Sequence, residues 1–435
     1  MSQLALNRRA MLGSIAGAAF AAATPALGRG QEPEFGSVQG LLDSYVGAGR
    51  VPGAVVAIVR SGGPSGRFAP QYVVSGKTAF DGGVPVTPDT LWRVYSMTKP
   101  ITAMAVMQQI ALGALSLDQP IADILPEFKS MRVLIDPAKG LESRPAERLI
   151  TVRHLLTHTS GLSYSIVGNG PLEKEYRRQG LLPGIGSLGR EPGDGPEPDL
   201  QGLVAGLASL PLHSEPGSGW RYSVALDLAG GLLARLTQKR FDAVLADQLL
   251  KPLGMANTGF SISEAQLPKL SSNYAWMRAD QTLLEKPLLI DGPERTDWLG
   301  PQKLLAGGAG LMSSARDYAR FGQMLLDDGM FKGKAIMPRG VVRTALSNLM
   351  PAGVFHDKTR GFGAGGRVTL FDTLGTADGS PAGTYGWGGA AGTLFQVDRV
   401  RQIAVVVMLQ YLPQQRFPMP KEFQVAINRD LGSRA

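Results

Sequence analysis

No cysteine occurs in the 435 residues of the chain. Disulfides, thiolate metal sites, iron–sulfur clusters and cysteine nucleophiles are thereby excluded, and an oxidising compartment is compatible with the composition. Runs of five or more basic residues, zinc-finger spacing and RNP-like aromatic motifs are also missing. The formal charge of +8, from 44 Lys and Arg against 36 Asp and Glu, is therefore diffuse, and no nucleic-acid partner is expected. There is no G-x-S-x-G elbow, Walker A loop or H-E-x-x-H pair, which sets aside those nucleophile, phosphate and zinc chemistries. No internal repeat is found. Beyond the N-terminus no segment is apolar enough to span a bilayer.

Hydrophobic residues make up 44% and charged residues 18%, an ordinary globular balance that excludes a mostly disordered chain and a polytopic membrane protein. The length allows a sizeable core. Gly (56) and Pro (30) are abundant, so loops are expected to be plentiful. At the N-terminus, Arg8 and Arg9 precede a moderately apolar stretch over 11–23, followed by the small residues Ala26 and Gly28. This pattern resembles a bacterial twin-arginine export signal over 1–28, which implies a periplasmic or secreted protein with no stable membrane insertion after cleavage. An uncleaved N-terminal anchor is the alternative.

Hydrophobic patterning predicts strands at 51–60 and 71–75, a helix over 101–112 stopped by Gly113, helices at 225–238 and 241–250, and an amphipathic helix over 313–328. Short turn-bounded strands follow at 383–389, 393–398 and 402–409, the last two joined by a hairpin at 398–401. The Gly/Pro-rich stretch 180–198 reads as an irregular surface loop. Strands at both ends with helices between them predict an α/β (α+β) protein. An antiparallel sheet domain drawn from 29–95 and 300–435, flanked by helices, carries a mainly helical insertion domain, 96–299.

The chemistry starts at Ser96-Met97-Thr98-Lys99. A serine hydroxyl needs a base to become a nucleophile. If a helix begins near Ser96, Lys99 lies one turn along on the same face, within reach of the serine oxygen. The helix N-terminus then favours an incipient alkoxide. Alone, S-x-x-K is a weak motif, but a strand pair upstream and an apolar helix downstream are the context it has in penicillin-recognising serine enzymes.

Four further stretches carry a resemblance to the serine β-lactamase/penicillin-binding superfamily, in its class C β-lactamase-like and family VIII esterase branch, from about residue 51 to 409. They are Thr151-Val-Arg-His-Leu-Leu-Thr-His-Thr-Ser-Gly-Leu162, Pro216-Gly-Ser-Gly-Trp-Arg-Tyr-Ser-Val224, Leu305-Ala-Gly-Gly-Ala-Gly-Leu-Met-Ser-Ser-Ala-Arg-Asp317 and Trp387-Gly388-Gly389. The resemblance implies a β-lactamase/transpeptidase-like fold and a serine hydrolase that needs no cofactor or metal. Ser96 is then the nucleophile, Lys99 and Tyr222 share base and acid duty, and the amides of Ser96 and Ala390 form the oxyanion hole. His154 and His158 fall in an architectural segment, and no third metal ligand is evident beside them. Leu305–Asp317 shapes the site wall and is assigned no chemistry. Tyr222 has the alternative of a satisfied core tyrosine.

Two departures from the β-lactamase pattern bear on the substrate. Val224 stands where β-lactamases have Asn, and Trp387 where they have the Lys of Lys-Thr-Gly. Val224, Trp387, Gly388 and Gly389 are the expected substrate-binding positions, with plain packing as the other reading of Trp387. The expected activity is carboxylesterase action on a small-molecule short-chain ester. β-Lactamase, D,D-peptidase or D-amino-acid amidase action on an amide is the alternative, with acyl transfer to an alcohol a related option. Acyl-chain length and oligomeric state are not legible.

Overall fold

The computed structural model describes residues 34–63, 66–184, 186, 189–278 and 282–432. The expected export signal, 1–28, lies outside the described residues. The described residues from Phe35 onward form one compact unit.

The first strand explains the architecture. In β1 (Gly53–Arg60), seven of eight residues are buried. Successive side chains of a strand point to opposite faces. Val55, Ala57 and Val59 enter one core, while Ala54, Val56 and Ile58 enter a second. A strand covered on both sides reads as a continuous apolar run, which is how 51–60 appears in the sequence. The remaining strands of the sheet are β2 (Gln71–Gly76), β3 (Arg360–Phe362), β4 (Arg367–Thr369), β5 (Tyr385–Gly388), β6 (Leu394–Asp398) and β7 (Ile403–Met408), in the order β3-β4-β5-β6-β7-β1-β2. Every neighbouring pair is antiparallel. Inside the sheet β1 pairs with β7, with Val56 opposite Val407. This pairing joins the two ends of the chain.

Helices α1 (Gly36–Gly47) and α5 (Met419–Gly432) cover one face of the sheet. The other face carries α4 (Ala315–Leu326), whose N-terminus is capped by the Ser314 side chain accepting from the Asp317 amide. Behind α4 lie α2 (Thr98–Ala111) and α3 (Ala225–Thr237), and their apolar residues share one continuous core with the sheet. α2 starts three residues before the predicted 101–112. Pro100 falls in its first turn, where a missing amide donor breaks nothing. The predicted 241–250 helix runs through a wide turn at Ala246–Leu250 and on to Leu253. Within 96–299 the structure also has a hairpin, Asn273–Met277 with Leu283–Asp291. Fully buried Arg93 fastens it, ion-pairing with Asp291 and donating to the Ser271 carbonyl at 2.6 Å.

Phe395 on β6 is fully buried against Tyr318 and Phe321 of α4, with ring centroids 4.9 and 5.7 Å away. Phe395→Ala is expected to cost about 3–5 kcal/mol through the lost transfer energy and the cavity left behind. Urea unfolding with an unchanged m-value checks it.

Candidate active site

Three segments distant in the sequence meet at Ser96. The first is the turn Tyr95–Met97, which leads directly into α2. Tyr95 sits at φ +43°, a left-handed conformation that costs energy for a bulky residue. Asn273 Nδ2 donates to its hydroxyl at 3.0 Å and Trp298 packs edge-on at 5.8 Å, holding the turn. Ser96 keeps 9% exposure, whereas Lys99 has none. Lys99 Nζ donates to Ser96 Oγ at 3.3 Å and to the Gly308 carbonyl at 2.8 Å. The i+3 spacing of Ser96 and Lys99 therefore puts the two groups together, as the S-x-x-K pattern predicts.

The second segment brings Tyr222. Its Oη donates to Ser96 Oγ at 2.7 Å, and Lys99 Nζ lies 4.6 Å from the centroid of its ring. His158 holds Tyr222 from both sides along the chain. Its carbonyl accepts from the Arg221 amide at 2.9 Å, and its Nδ1 accepts from the Ser223 amide at 3.3 Å. Burial, aided by Lys99 and His356, holds the His158 imidazole well below its ordinary pKa, so the ring stays neutral and keeps Nδ1 as an acceptor. His154 has a different task. It completes a reciprocal cap with Thr151, accepting from the Thr151 amide at 3.2 Å on Nδ1. Arg221 is anchored on Ser163 Oγ at 2.9 Å and on buried Glu173 at 2.8 Å.

The third segment is the end of β5. Gly389 packs so closely on the Ser96 turn that a Cβ there would collide with the Val94 carbonyl and with Thr393 Oγ1. Its amide donates to the Thr393 carbonyl at 2.8 Å, and Gly388 is less crowded, a Cβ there meeting the Thr393 carbonyl at 3.1 Å. Ala390 follows, exposed. Among the described residues neither the Ser96 nor the Ala390 amide meets an acceptor. Trp387 is half-buried and joins an aromatic wall. Its ring lies 5.6 Å from Tyr222, 5.2 Å from Phe362 and 6.3 Å from His356, and Trp220 stands 4.4 Å from His356.

One expected position has a different place. Val224, assigned to the substrate, is fully buried in the main core, and its amide donates to the Ser163 carbonyl at 3.1 Å. It ends the Tyr222 segment and begins α3, so its side chain packs inward and has no exposed surface to offer.

Sequence reasoning missed several groups. The Leu305–Asp317 stretch, with no expected chemistry, supplies the carbonyl that holds Lys99. It is itself docked on α2, with Thr102 Oγ1 donating to the Gly307 carbonyl at 2.6 Å and the Leu311 amide to Thr98 Oγ1 at 3.1 Å. Asp227, fully buried in the first turn of α3, accepts from the Gly308 amide at 2.7 Å. Burial pushes its carboxyl up to about 6, with Lys99 opposing. Tyr164 donates to the Pro183 carbonyl at 2.6 Å, and burial keeps its phenol well above its ordinary pKa, hence protonated. Trp220 lies two residues before Tyr222, and that same-side spacing was the signal available for it.

The family model described as Beta-lactamase matches residues 38–427. Esterase EstB of Burkholderia gladioli is 32% identical over 380 residues, which are 85% of this chain and 88% of that protein. Monacolin J acid methylbutanoyltransferase of Aspergillus terreus is 29% identical over 354 residues, 76% of this chain and 79% of the relative. Among solved structures, EstCE1, described as a hydrolase with promiscuous acyltransferase activity, superposes with a TM-score of 0.70 at 26% identity. That match covers 90% of this chain and 97% of the other.

Two outcomes are expected. Gly389→Ala forces β5 off the Ser96 turn and lowers kcat/KM on any substrate of the site by at least about 100-fold, checked by steady-state kinetics. The second concerns pH. Asp227 binds a proton in the native state up to about pH 6, against an ordinary value of 3.8. The native state therefore holds more protons than the unfolded chain between those values, and this group's contribution to stability falls as pH rises through that window. The unfolding free energy of Asp227→Asn minus that of the wild type should rise by about 2 kcal/mol from pH 4 to pH 7, read from urea titrations.

Proposed function

The chain belongs to the Beta-lactamase family, with its β-lactamase/transpeptidase-like fold, and is a serine hydrolase enzyme; on that premise we propose that it is a carboxylesterase, acting on short-chain esters through an acyl-enzyme on Ser96. The observation that carries this reading is the convergence of Tyr222 Oη and Lys99 Nζ on Ser96 Oγ, at 2.7 and 3.3 Å.

In this mechanism Ser96 Oγ bonds to the ester carbonyl carbon as its proton passes to the Lys99 amine. The amides of Ser96 and Ala390 receive the oxyanion. Collapse breaks the bond to the leaving alcohol, and Tyr222, in hydrogen-bond reach of the serine oxygen, relays the proton to that alcohol. Water then attacks the acyl-enzyme by the reverse proton path and releases the acid.

Substrate class rests on the wall around Trp387. Trp220, Tyr222 and Trp387, backed by fully buried Phe362, offer apolar faces for an uncharged acyl or alkyl group, and the cation that would bind a β-lactam carboxylate is replaced by the indole. With Val224 buried, Trp387 is the discriminating position. The similarity to an esterase and to an acyltransferase supports a second reading, in which an alcohol replaces water as the acyl acceptor. Export to the periplasm or medium belongs to the same proposal and rests on Arg8, Arg9 and the apolar stretch after them.

The test is a paired assay with p-nitrophenyl butyrate and a chromogenic cephalosporin. Ser96→Ala is expected to lose at least about 10⁴-fold on the ester, and Tyr222→Phe about 10³-fold. Trp387→Ala should lower kcat/KM for the butyrate by about tenfold. Butyryl methyl ester accumulating when methanol is added identifies acyl transfer. Cephalosporin turnover matching or exceeding ester turnover would overturn the esterase reading.

A further inference from the structure

A carboxylate buried without exposure beside a buried lysine is expensive unless something uses its charge. Asp227 is such a group, and the mechanism above does not employ it. One oxygen, Oδ1, accepts from the Gly308 amide at 2.7 Å. Among the described residues, Oδ2 has no hydrogen-bond partner. A side chain needed only to receive one amide could be Asn or Ser, at a much smaller desolvation penalty.

Gly308 is held from both sides. Its amide points to Asp227, and its carbonyl accepts from Lys99 Nζ at 2.8 Å. A Cβ at 308 would run into the Asp227 carboxylate, so the glycine is what allows the acid this close. A glycine backbone is otherwise permissive, and here its conformation is set by the carboxylate on one side and the lysine on the other. The polar order is then Asp227, Gly308, Lys99, Ser96, Tyr222, drawn from α3, the 305–317 stretch, α2 and the Tyr222 segment.

We propose that Asp227 is a positioning residue for acylation. Through Gly308 it fixes the Lys99 amine against Ser96, and its carboxylate is the counter-charge for the ammonium that forms there. The proposal rests on the Ser96 acyl-enzyme reading. As the bond from Ser96 Oγ to the acyl carbon forms, the Oγ–H bond breaks and the proton moves to Nζ. Lys99 gains one positive charge opposite one negative charge, in surroundings where water does not screen them. When the leaving alcohol departs it takes a proton, and Lys99 returns to the amine. The other groups facing Asp227 do not supply that charge. Tyr164, whose ring lies 5.7 Å from Lys99 Nζ, stays a neutral phenol, raised by burial first and then by Asp227 and Tyr222. The Gly308 amide is neutral. Among the described residues, Lys99 is the one basic side chain acting on Asp227.

The experiment is pre-steady-state acylation by p-nitrophenyl butyrate between pH 5 and 9, with thermal melts, on the wild type, Asp227→Asn and Ser96→Ala. Asparagine keeps an acceptor for Gly308 and loses the charge. The expected result is a Tm at pH 7.5 equal to or above that of the wild type, acylation slowed by about 100-fold, and loss of an acid limb near pH 6 present in the wild type. Burial pushes all four histidines below their ordinary value, so a limb that vanishes on removing this carboxyl belongs to Asp227. An Asp227→Asn enzyme that acylates within twofold of the wild type, or that loses Tm and rate together while keeping the limb, would overturn the proposal and leave only an anchor for Gly308. If Asp227→Asn does not fold, the wild-type profile alone decides, because acylation without an ionisation near pH 6 overturns the idea. A wild type with no Ser96-dependent burst overturns the acyl-enzyme reading itself, whereas a burst indifferent to Asp227 overturns only this inference.

Discussion

The structure turns on the burial of one amine. Lys99 has no exposed surface, and a lysine so placed needs partners for its hydrogens and for its charge. It has the serine oxygen, the Gly308 carbonyl, the face of the Tyr222 ring and the nearby Asp227 carboxylate. They come from three parts of the chain: the Lys99 turn itself, the segment 222–227 and the 305–317 stretch. The helix α2 that carries Lys99 is enclosed by α3, by the 305–317 stretch and by the core behind the sheet. The enclosure that makes the amine expensive also keeps it in place.

Rigidity around Ser96 comes from unrelated sources acting on one turn. Tyr95 is held at a positive φ by Asn273, in the hairpin that buried Arg93 ties down, and by Trp298 beyond it. β5 presses Gly389 onto the Val94 carbonyl from the sheet side. His158 grips the backbone before and after Tyr222. The serine is thus placed between a helix, the end of an interior strand and a loop, each fixed by buried polar contacts as well as by apolar packing.

Much of this was legible in the sequence because it is local or periodic. The i+3 pair Ser96 and Lys99, the doubly buried strand β1 and the C-terminal strands β5 to β7 all announce themselves within a few residues. The two histidines at 154 and 158 could be assigned to architecture, though not to their separate tasks, a helix cap and a clamp on Tyr222. What stayed hidden depends on distant contacts. Asp227 looks like an ordinary acid in the first turn of a helix until Gly308, some 80 residues on, is seen against it. The hairpin 273–291 has one strand that is mostly exposed, so its apolar pattern is weak. Val224 stands at a motif position, yet the chain turns there into α3 and carries the side chain inward.

The pairing of β1 with β7 has a consequence for how the molecule is made. Val55 and Met408 are cross-strand neighbours about 350 residues apart in the chain. A nascent chain therefore exposes β1, apolar on both faces, with one edge unpaired until almost the last strand has been synthesised. Sheets closed by contacts so distant form slowly, and an open apolar edge is a template for pairing with other chains. Deletions that remove only the last strand would not trim the fold at its margin. They would open the sheet between β6 and β1 and leave β1, apolar on both faces, with an unpaired edge.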